Sequence, residues 1–142
     1  MDCRMTQDQR EAFLAGLHVA VLSINQPGRG PLSVPVWYWY EPGGELWFET
    51  EPNSRKGRLL EIGTRISLCV QNEASPYAYV SVEGQIIDIA EDDLEQHQNP
   101  MAERYLGEKG GRDFLANLPP TEWQRYIVNP VRWLSYDGAK AT

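Results

Sequence analysis

Apolar and polar residues alternate along most of this chain with the two-residue period of β-strands. Valine, isoleucine, tryptophan and tyrosine are concentrated in these segments, and glycine, proline, asparagine and aspartate separate them. Because most of the separating turns are short, neighbouring strands should pair antiparallel. The fold class predicted is therefore mainly β, a small closed antiparallel barrel with short helices. The predicted strands are 18–25, 32–40, 45–50, 65–71, 77–90 (bent at Gly84), 119–130 and 131–137.

Helical signals lie between these strands. Thr6 and Gln9 form a capping-box pattern at the start of a first helix. Asn53 or Ser54 can cap a second helix, which Gly63 should end. The further predicted helices are 92–98, 101–107 and 111–118, with Asn99-Pro100 as an interruption between the first two of them.

The segment VPVWYWYE, residues 34–41, is apolar on both faces of the predicted strand. Trp37 and Trp39 should point to one side, and Val36, Tyr38 and Tyr40 to the other. Neither face suits water, so each needs a cover. Pro35 lacks a backbone N–H, which predicts an edge strand, a bulge or an interruption of the ladder.

Length and charge limit the possible functions. The chain has 142 residues, which favours one domain spanning 1–142, and 42% of them are hydrophobic. A net charge of −7 argues against binding to nucleic acid or to an anionic membrane surface. No apolar run reaches the roughly 20 residues that span a bilayer, and no signal-peptide pattern is found. We therefore expect a cytoplasmic protein.

Positive charge is concentrated in one place, the segment SRKGR. Arg55, Lys56 and Arg58, together with the hydroxyl of Ser54, fall at the predicted start of the second helix. Backbone N–H groups and the helix dipole there favour an anion such as phosphate. The alternative is an ordinary solvated helix face, which the spacing alone makes equally plausible.

Other chemical motifs are scarce. His18 and His97 are far apart, and neither they nor Cys3 and Cys69 have the spacing of a metal site. The glycine pairs lie in hairpin turns, so the dinucleotide-binding pattern is missing. Catalytic residues are not identifiable. An enzyme of this kind needs a cofactor that carries its chemistry.

Four blocks in this order resemble a known family: FLAGLHVAVLSI, PLSVPVWYWYEPGGELWFET, NSRKGRLLEIGTRISLCVQ and YAYVSVEGQI. They are similar to the split-barrel flavin and deazaflavin oxidoreductases, which are relatives of pyridoxamine 5′-phosphate oxidase. The branch that binds coenzyme F420 is the most similar. The resemblance implies a six-stranded split barrel that forms a homodimer, with two cofactors in clefts at the dimer interface. One face of residues 34–41 would then pack in the barrel, and the other would meet cofactor and partner.

The resemblance also assigns binding residues. The cofactor phosphate would lie on the segment after the third strand, and the ring would lie along the first half of the aromatic strand, with Thr50 close by. The partner subunit would contribute from its long strand. The implied cofactor-binding residues are Ser54, Arg55, Lys56, Arg58, Val34, Pro35, Val36, Trp37, Thr50, Tyr77 and Tyr79.

The implied activity is hydride transfer between F420 and a small electron-poor organic acceptor, such as an enone, a quinone or a tetrapyrrole. Two alternatives stay open: an FMN-binding oxidoreductase or flavin reductase on the same fold, and a non-enzymatic F420-binding protein.

Overall fold

A computed structural model describes residues 1–119 and 122–141. The helices are α1 (Gln7–Ala15), α2 (Arg55–Arg58) and α3 (Asn99–Ala116), with a π-helical turn at Leu94–Gln98 and a 3₁₀ turn at Gly138–Lys140. The strands are β1 (Ala20–Ile24), β2 (Leu32–Val36), β3 (Trp39–Tyr40), β4 (Leu46–Thr50), β5 (Arg65–Asn72), β6 (Ala78–Glu91) and β7 (Gln124–Asp137).

The strands form one antiparallel sheet in the order β2-β1-β5-β6-β7-β4-β3. This confirms the mainly β, antiparallel fold class. The two edge strands, β2 and β3, are consecutive in the chain and only two residues separate them. The sheet therefore curves round until its two edges approach each other, and the chain itself crosses the gap at Trp37 and Tyr38.

The strand count differs from the prediction. The sheet has seven strands rather than the six that the resemblance implied. Of the seven ranges predicted from the sequence, 32–40 divides into β2 and β3 while the last two join. The predicted strands 119–130 and 131–137 are one continuous strand, β7, which passes through Pro130. Pro130 faces Gly84 of β6 where the register of the ladder shifts, so the missing N–H falls at an irregular point. This shift also confirms the irregularity predicted at Gly84, whereas part of the range predicted for 119–130 lies outside the described residues.

The helices confirm one prediction and correct two. At α1, Thr6 and Gln9 form the predicted capping box. The predicted interruption at Asn99-Pro100 is wrong, because Pro100 occupies the first turn of α3, where its missing N–H costs nothing. The helical path breaks instead at Gly107, whose φ of 79° is outside the helical range. Around residues 51–63, only the four residues of α2 are helical.

The two faces of the aromatic segment, residues 34–41, pack in two different hydrophobic clusters. Val36, Tyr38 and Tyr40 belong to the main core inside the barrel. Trp37 and Trp39 point away from that core and pack in a second cluster with side chains of β4, β7 and α3, including Trp47 and Tyr105. The Trp37 and Tyr105 rings stack at 4.8 Å with an interplanar angle of 5°. The helices of the same chain thus cover much of the face that was expected to meet cofactor and partner.

Tyr105 of α3 also links the segment between β2 and β3 to the residues before β1. Its hydroxyl accepts a hydrogen bond from the N–H of Tyr38 at 3.2 Å. The same oxygen is 2.7 Å from the carbonyl oxygen of His18 and 3.2 Å from that of Tyr38. One side chain therefore satisfies backbone groups at the point where the strand ladder is interrupted.

The outer face of the sheet is apolar or small along one row. Pairing places Pro35 beside Val21, Val21 beside Cys69, Cys69 beside Ser81, and Ser81 beside Leu134. Directly opposed residues point to the same side of a sheet, so these five side chains form a continuous strip across five strands. Val21 is 41% exposed and Leu134 is 60% exposed. We call this strip the outer row.

Candidate functional site

The cationic segment, residues 54–58, forms a single short turn. Ser54 caps α2: its hydroxyl accepts from the N–H of Gly57 at 3.1 Å and donates to the carbonyl of Glu51 at 2.7 Å. A helix of four residues has little dipole, and Ser54 already satisfies one of its first N–H groups. The helix dipole therefore adds little here, and the cationic side chains are the main groups that an anion could contact.

None of the three cations pairs with a counter-charge among the described residues, although Arg55 has a neutral partner. The guanidinium of Arg55 donates two hydrogen bonds, of 2.9 and 3.2 Å, to the side-chain oxygen of Gln26 in the loop between β1 and β2. Lys56 is half-buried and Arg58 is exposed. Among residues 1–119 and 122–141, no carboxylate lies within 4.0 Å of either of them. Both charges are therefore available to an anion.

Thr50 adjoins this segment. Its side chain is only 4% exposed, and its hydroxyl is 3.3 Å from that of Ser54. The end of β4 and the start of α2 are thus fixed to each other through two side chains. The resemblance implied that Thr50 lies close to the cofactor ring, and the structure places it beside Ser54.

The other end of β2 borders an apolar cavity of about 290 Å³. Pro35, Val36 and Trp37, three of the four residues predicted to face a ring, line it. Val34 packs instead against the main core. The Arg55–Gln26 contact places the cationic segment near the start of β2, and the three residues from Leu32 to Pro35 span about 10 Å at roughly 3.3 Å per residue. The cationic segment and the cavity therefore lie towards opposite ends of β2.

Three residues that the sequence did not indicate complete the cavity: Val19, Phe114 and Trp123. They are the residue before β1, a residue near the end of α3 and the residue before β7. Phe114 contacts the indole ring of Trp37 at 5.3 Å. No local motif links positions so far apart in the chain, so only the fold brings them together.

Tyr77 and Tyr79 are separate from both parts of this site within one chain. Tyr77 is 62% exposed, and Tyr79 stacks on Tyr136 at 6.0 Å on the outer sheet face. Neither forms a hydrogen bond or ring contact with residues 54–58 or 34–37 among the residues that the structure describes. If they contribute to a site built on the cationic segment, they do so from another copy of the chain.

A buried acidic pair lies on the opposite side of β4. Asp92 has no exposed side-chain surface, and neither of its carboxyl oxygens has a hydrogen-bond partner among the described residues. Burial and the neighbouring carboxyl group of Asp92 raise the pKa of Glu49 to about 9, and Arg125 only partly offsets this. The raised pKa favours the protonated form of Glu49 at neutral pH.

The described part of the chain contains no group of three metal-ligating side chains. No helix there is long and apolar enough to cross a membrane.

A family model named pyridoxamine 5′-phosphate oxidase matches residues 6–128, which is most of the chain. The chain belongs to this family. The match includes the cationic segment and β2, so both parts of the candidate site lie within the family domain. No curated protein matches the chain.

Solved structures with the same fold carry several descriptions. A conserved hypothetical protein from Mycobacterium tuberculosis has a TM-score of 0.77 and 24% identity, over 99% of this chain and 89% of its own. A structure described as an F420 reductase has a TM-score of 0.60 and 21% identity, and the match covers 87% of this chain and 94% of the reductase chain. An FAD binding protein from Mycobacterium smegmatis has a TM-score of 0.61 and 11% identity, and the match covers 92% of this chain and 95% of the FAD binding protein. At these identities the likeness establishes the fold alone.

Proposed function

We propose that this chain is an oxidoreductase that binds coenzyme F420 and reduces a small electron-poor organic acceptor. The observation that carries the proposal is the pair of uncompensated cations, Lys56 and Arg58, in a chain whose net charge is −7. Membership of the pyridoxamine 5′-phosphate oxidase family supports it. So does the similarity in fold to a protein described as an F420 reductase.

The residues present suit such a cofactor. Lys56 and Arg58 would bind its phosphate through charge-assisted hydrogen bonds. Pro35 lies in an edge strand, whose outward backbone groups have no ladder partner and so can serve the polar edge of a ring. Bound F420 supplies hydride transfer to an enone, a quinone or a tetrapyrrole. The protein holds ring and acceptor in contact, which is a proximity effect.

A second copy of the chain completes the proposed site. The outer row presents Val21 and Leu134 to solvent in a single chain, and an apolar strip of this kind is typical of an interface. A partner seated on this face would bring its own Tyr77 and Tyr79 next to the cationic segment or the ring. This accounts for their separation from the site within one chain.

Replacement of Lys56 by alanine tests the phosphate site. We expect the affinity for F420 to fall by about tenfold or more, because a hydrogen bond to a charged group contributes roughly 1.5–3 kcal/mol. Quenching of F420 fluorescence during titration measures the dissociation constant.

Lys109→Ala is the matched control, since Lys109 is an exposed lysine of α3 that pairs with Asp113 at 2.9 Å. Its F420 affinity should equal that of the wild type. Equal affinities for wild type and Lys56→Ala would remove the proposed phosphate site.

FMN, the alternative cofactor that the sequence resemblance leaves open, is the second candidate, and the fold also occurs in proteins described as binding another flavin, FAD. The same titration with FMN decides between them. Tighter binding of FMN, or a yellow protein after purification, would favour a flavin-dependent oxidoreductase. F420 binding without turnover against a broad acceptor panel would favour a non-enzymatic binding protein.

A further inference from the structure

The cavity at the end of β2 has a chemistry of its own. Its lining consists of Val19, Pro35, Val36, Trp37, Phe114 and Trp123, none of which is charged. The only side-chain hydrogen-bond donors among them are the two indole N–H groups. At about 290 Å³ the cavity is at the small end of the roughly 300–1,000 Å³ typical of ligand sites.

These properties do not suit the cofactor ring itself. One edge of a flavin or deazaflavin ring carries carbonyl and N–H groups, and polar groups buried without hydrogen bonds are costly. The exposed edge strand can serve those groups, but the cavity cannot. What the cavity can bind is a small flat molecule without charge.

The aromatic walls of the cavity pack on one another. The Trp37 ring stacks on the Tyr105 ring at 4.8 Å and contacts the Phe114 ring at 5.3 Å. Because Tyr105 and Phe114 both belong to α3, rotation of the indole would lose contacts with that helix. Phe114 and Trp123 come from elements different from β2, so they define the far side of the cavity independently of the ring-facing stretch.

We propose that this cavity is the acceptor site and that Phe114 and Trp123 make it selective for neutral, flat molecules of one or two aromatic rings. The proposal rests on the proposed function and narrows its acceptor class. A tetrapyrrole with charged side chains is too large and too polar for this cavity. Small uncharged rings adjacent to residues 35–37 would lie beside the cofactor.

Two probes with the same ring system test the charge selectivity. Isothermal titration calorimetry of the cofactor-free protein with 2-naphthol and with naphthalene-2-sulfonate measures binding without any turnover. We expect 2-naphthol to bind about tenfold or more tightly than the sulfonate, because the described lining residues offer no counter-charge. Equal affinities, or no 2-naphthol binding, would overturn the assignment.

Variants locate the binding. Phe114→Leu should weaken 2-naphthol binding by about tenfold through loss of an aromatic contact. Leu106→Ala is the control, since Leu106 is an exposed residue of the same helix outside the cavity and should leave binding unchanged. Val19→Lys is a second, gain-of-function variant: Val19 is 51% exposed, so the lysine is tolerated and should strengthen binding of the sulfonate.

Titration of the Phe114→Leu variant with F420 tests whether the cavity holds the acceptor or the cofactor ring. The proposal expects an F420 affinity within about twofold of wild type. An F420 affinity reduced as much as that for 2-naphthol would show that the cavity holds the ring, and so would overturn the proposal. Failure of F420 and FMN to bind the wild type contradicts the proposed function, whereas failure of 2-naphthol contradicts the cavity assignment, so the two failures are distinguishable.

Discussion

Glu49 and Asp92 lie in one buried site, although each looked like an ordinary acidic residue in the sequence. Glu49 is in β4, and Asp92 precedes the π-helical turn. Arg125 of β7 partly offsets their negative charge, and Nδ1 of His97 lies 3.8 Å from a carboxyl oxygen of Asp92. That nitrogen accepts a hydrogen bond from the N–H of Asp93 at 2.9 Å. Two carboxyl groups buried this close to each other favour a bound proton, which is the cause of the raised pKa of Glu49.

Stability should consequently depend on pH through Glu49. The pKa of this group is raised from 4.5 to about 9 in the folded chain. Between these values the folded state binds one proton more than the unfolded state, so this contribution is complete below about pH 4.5 and is lost as pH rises to about 9. Glu49→Gln removes the titration and keeps a hydrogen-bond donor. Urea denaturation from pH 5 to 9 measures the free energy of unfolding of both proteins. This free energy should change less with pH in the variant than in the wild type, and the two slopes should differ by at most about 1.4 kcal/mol per pH unit.

Glu61→Gln serves as the control, because Glu61 is exposed. Its stability should follow the wild-type curve at every pH. Parallel curves for wild type and Glu49→Gln would show that the carboxyl pair holds no extra proton.

The largest difference between the predicted and observed elements is the division of the predicted strand 32–40 into β2 and β3. Alternation of residues 34–40 correctly separated the two faces, but it cannot show that the ladder stops at Trp37 and Tyr38. Tyr105 makes the break possible, since its hydroxyl satisfies the exposed backbone groups there. A residue nearly 70 positions away therefore decides where the strand ends.

Tyr105→Phe should destabilise the fold. The change keeps the ring that stacks on Trp37 but removes the hydroxyl. It leaves the N–H of Tyr38 and the carbonyl of His18 without this partner, at a cost of about 1–3 kcal/mol. Urea denaturation measures the loss, and hydrogen exchange at the Tyr38 amide should accelerate in the same variant.

Tyr136→Phe is the matched control, since the Tyr136 hydroxyl makes no hydrogen bond within the described residues. It should change stability by less than about 0.5 kcal/mol, as expected for a surface substitution. An equal loss in both variants would contradict the role given to Tyr105.

Local signals predicted the elements wherever local chemistry decides them. The Thr6 capping box and the strands either side of the hairpin turns are examples. Pro100 led to a wrong prediction because proline disrupts the interior of a helix but is favoured in its first turn. Whether it does one or the other depends on where the helix begins, and here the preceding π-helical turn places it in the first turn of α3.

At the scale of the whole molecule, the outer row is the surface with the clearest consequence. It crosses five strands and includes Val21 and Leu134, which solvent reaches in a single chain. The residue pattern showed that alternate positions face outwards. It could not show that outward residues from different strands line up, because that depends on the register.

Leu134→Lys tests whether two copies meet on this face. We expect the wild type to be a dimer and the variant a monomer, because two lysines would be buried against an apolar strip. Size-exclusion chromatography with light scattering measures the mass.

Leu94→Lys is the control: Leu94 is 53% exposed, close to the 60% of Leu134, but lies in the π-helical turn. It should remain dimeric. A monomeric wild type would contradict the dimer, and dissociation of both variants would contradict this choice of face.

The two parts of the candidate site differed in how far sequence could predict them. The cationic segment is contiguous, so Lys56 and Arg58 were visible as a cluster. The cavity is built from β1, β2, α3 and the residue before β7, and only Pro35, Val36 and Trp37 belonged to a recognisable segment. Phe114 and Trp123 required the fold.

The sheet order also bears on behaviour in concentrated solution. A long open strand edge invites pairing with another molecule, which is the first step of edge-to-edge aggregation. Here one edge strand has five residues and contains Pro35, and the other has only two residues. The chain joins them directly, and Tyr105 occupies the junction. A foreign strand would have to displace that tyrosine to extend the sheet across this junction. The interruption of the ladder at Trp37 and Tyr38 therefore also opposes edge-to-edge aggregation.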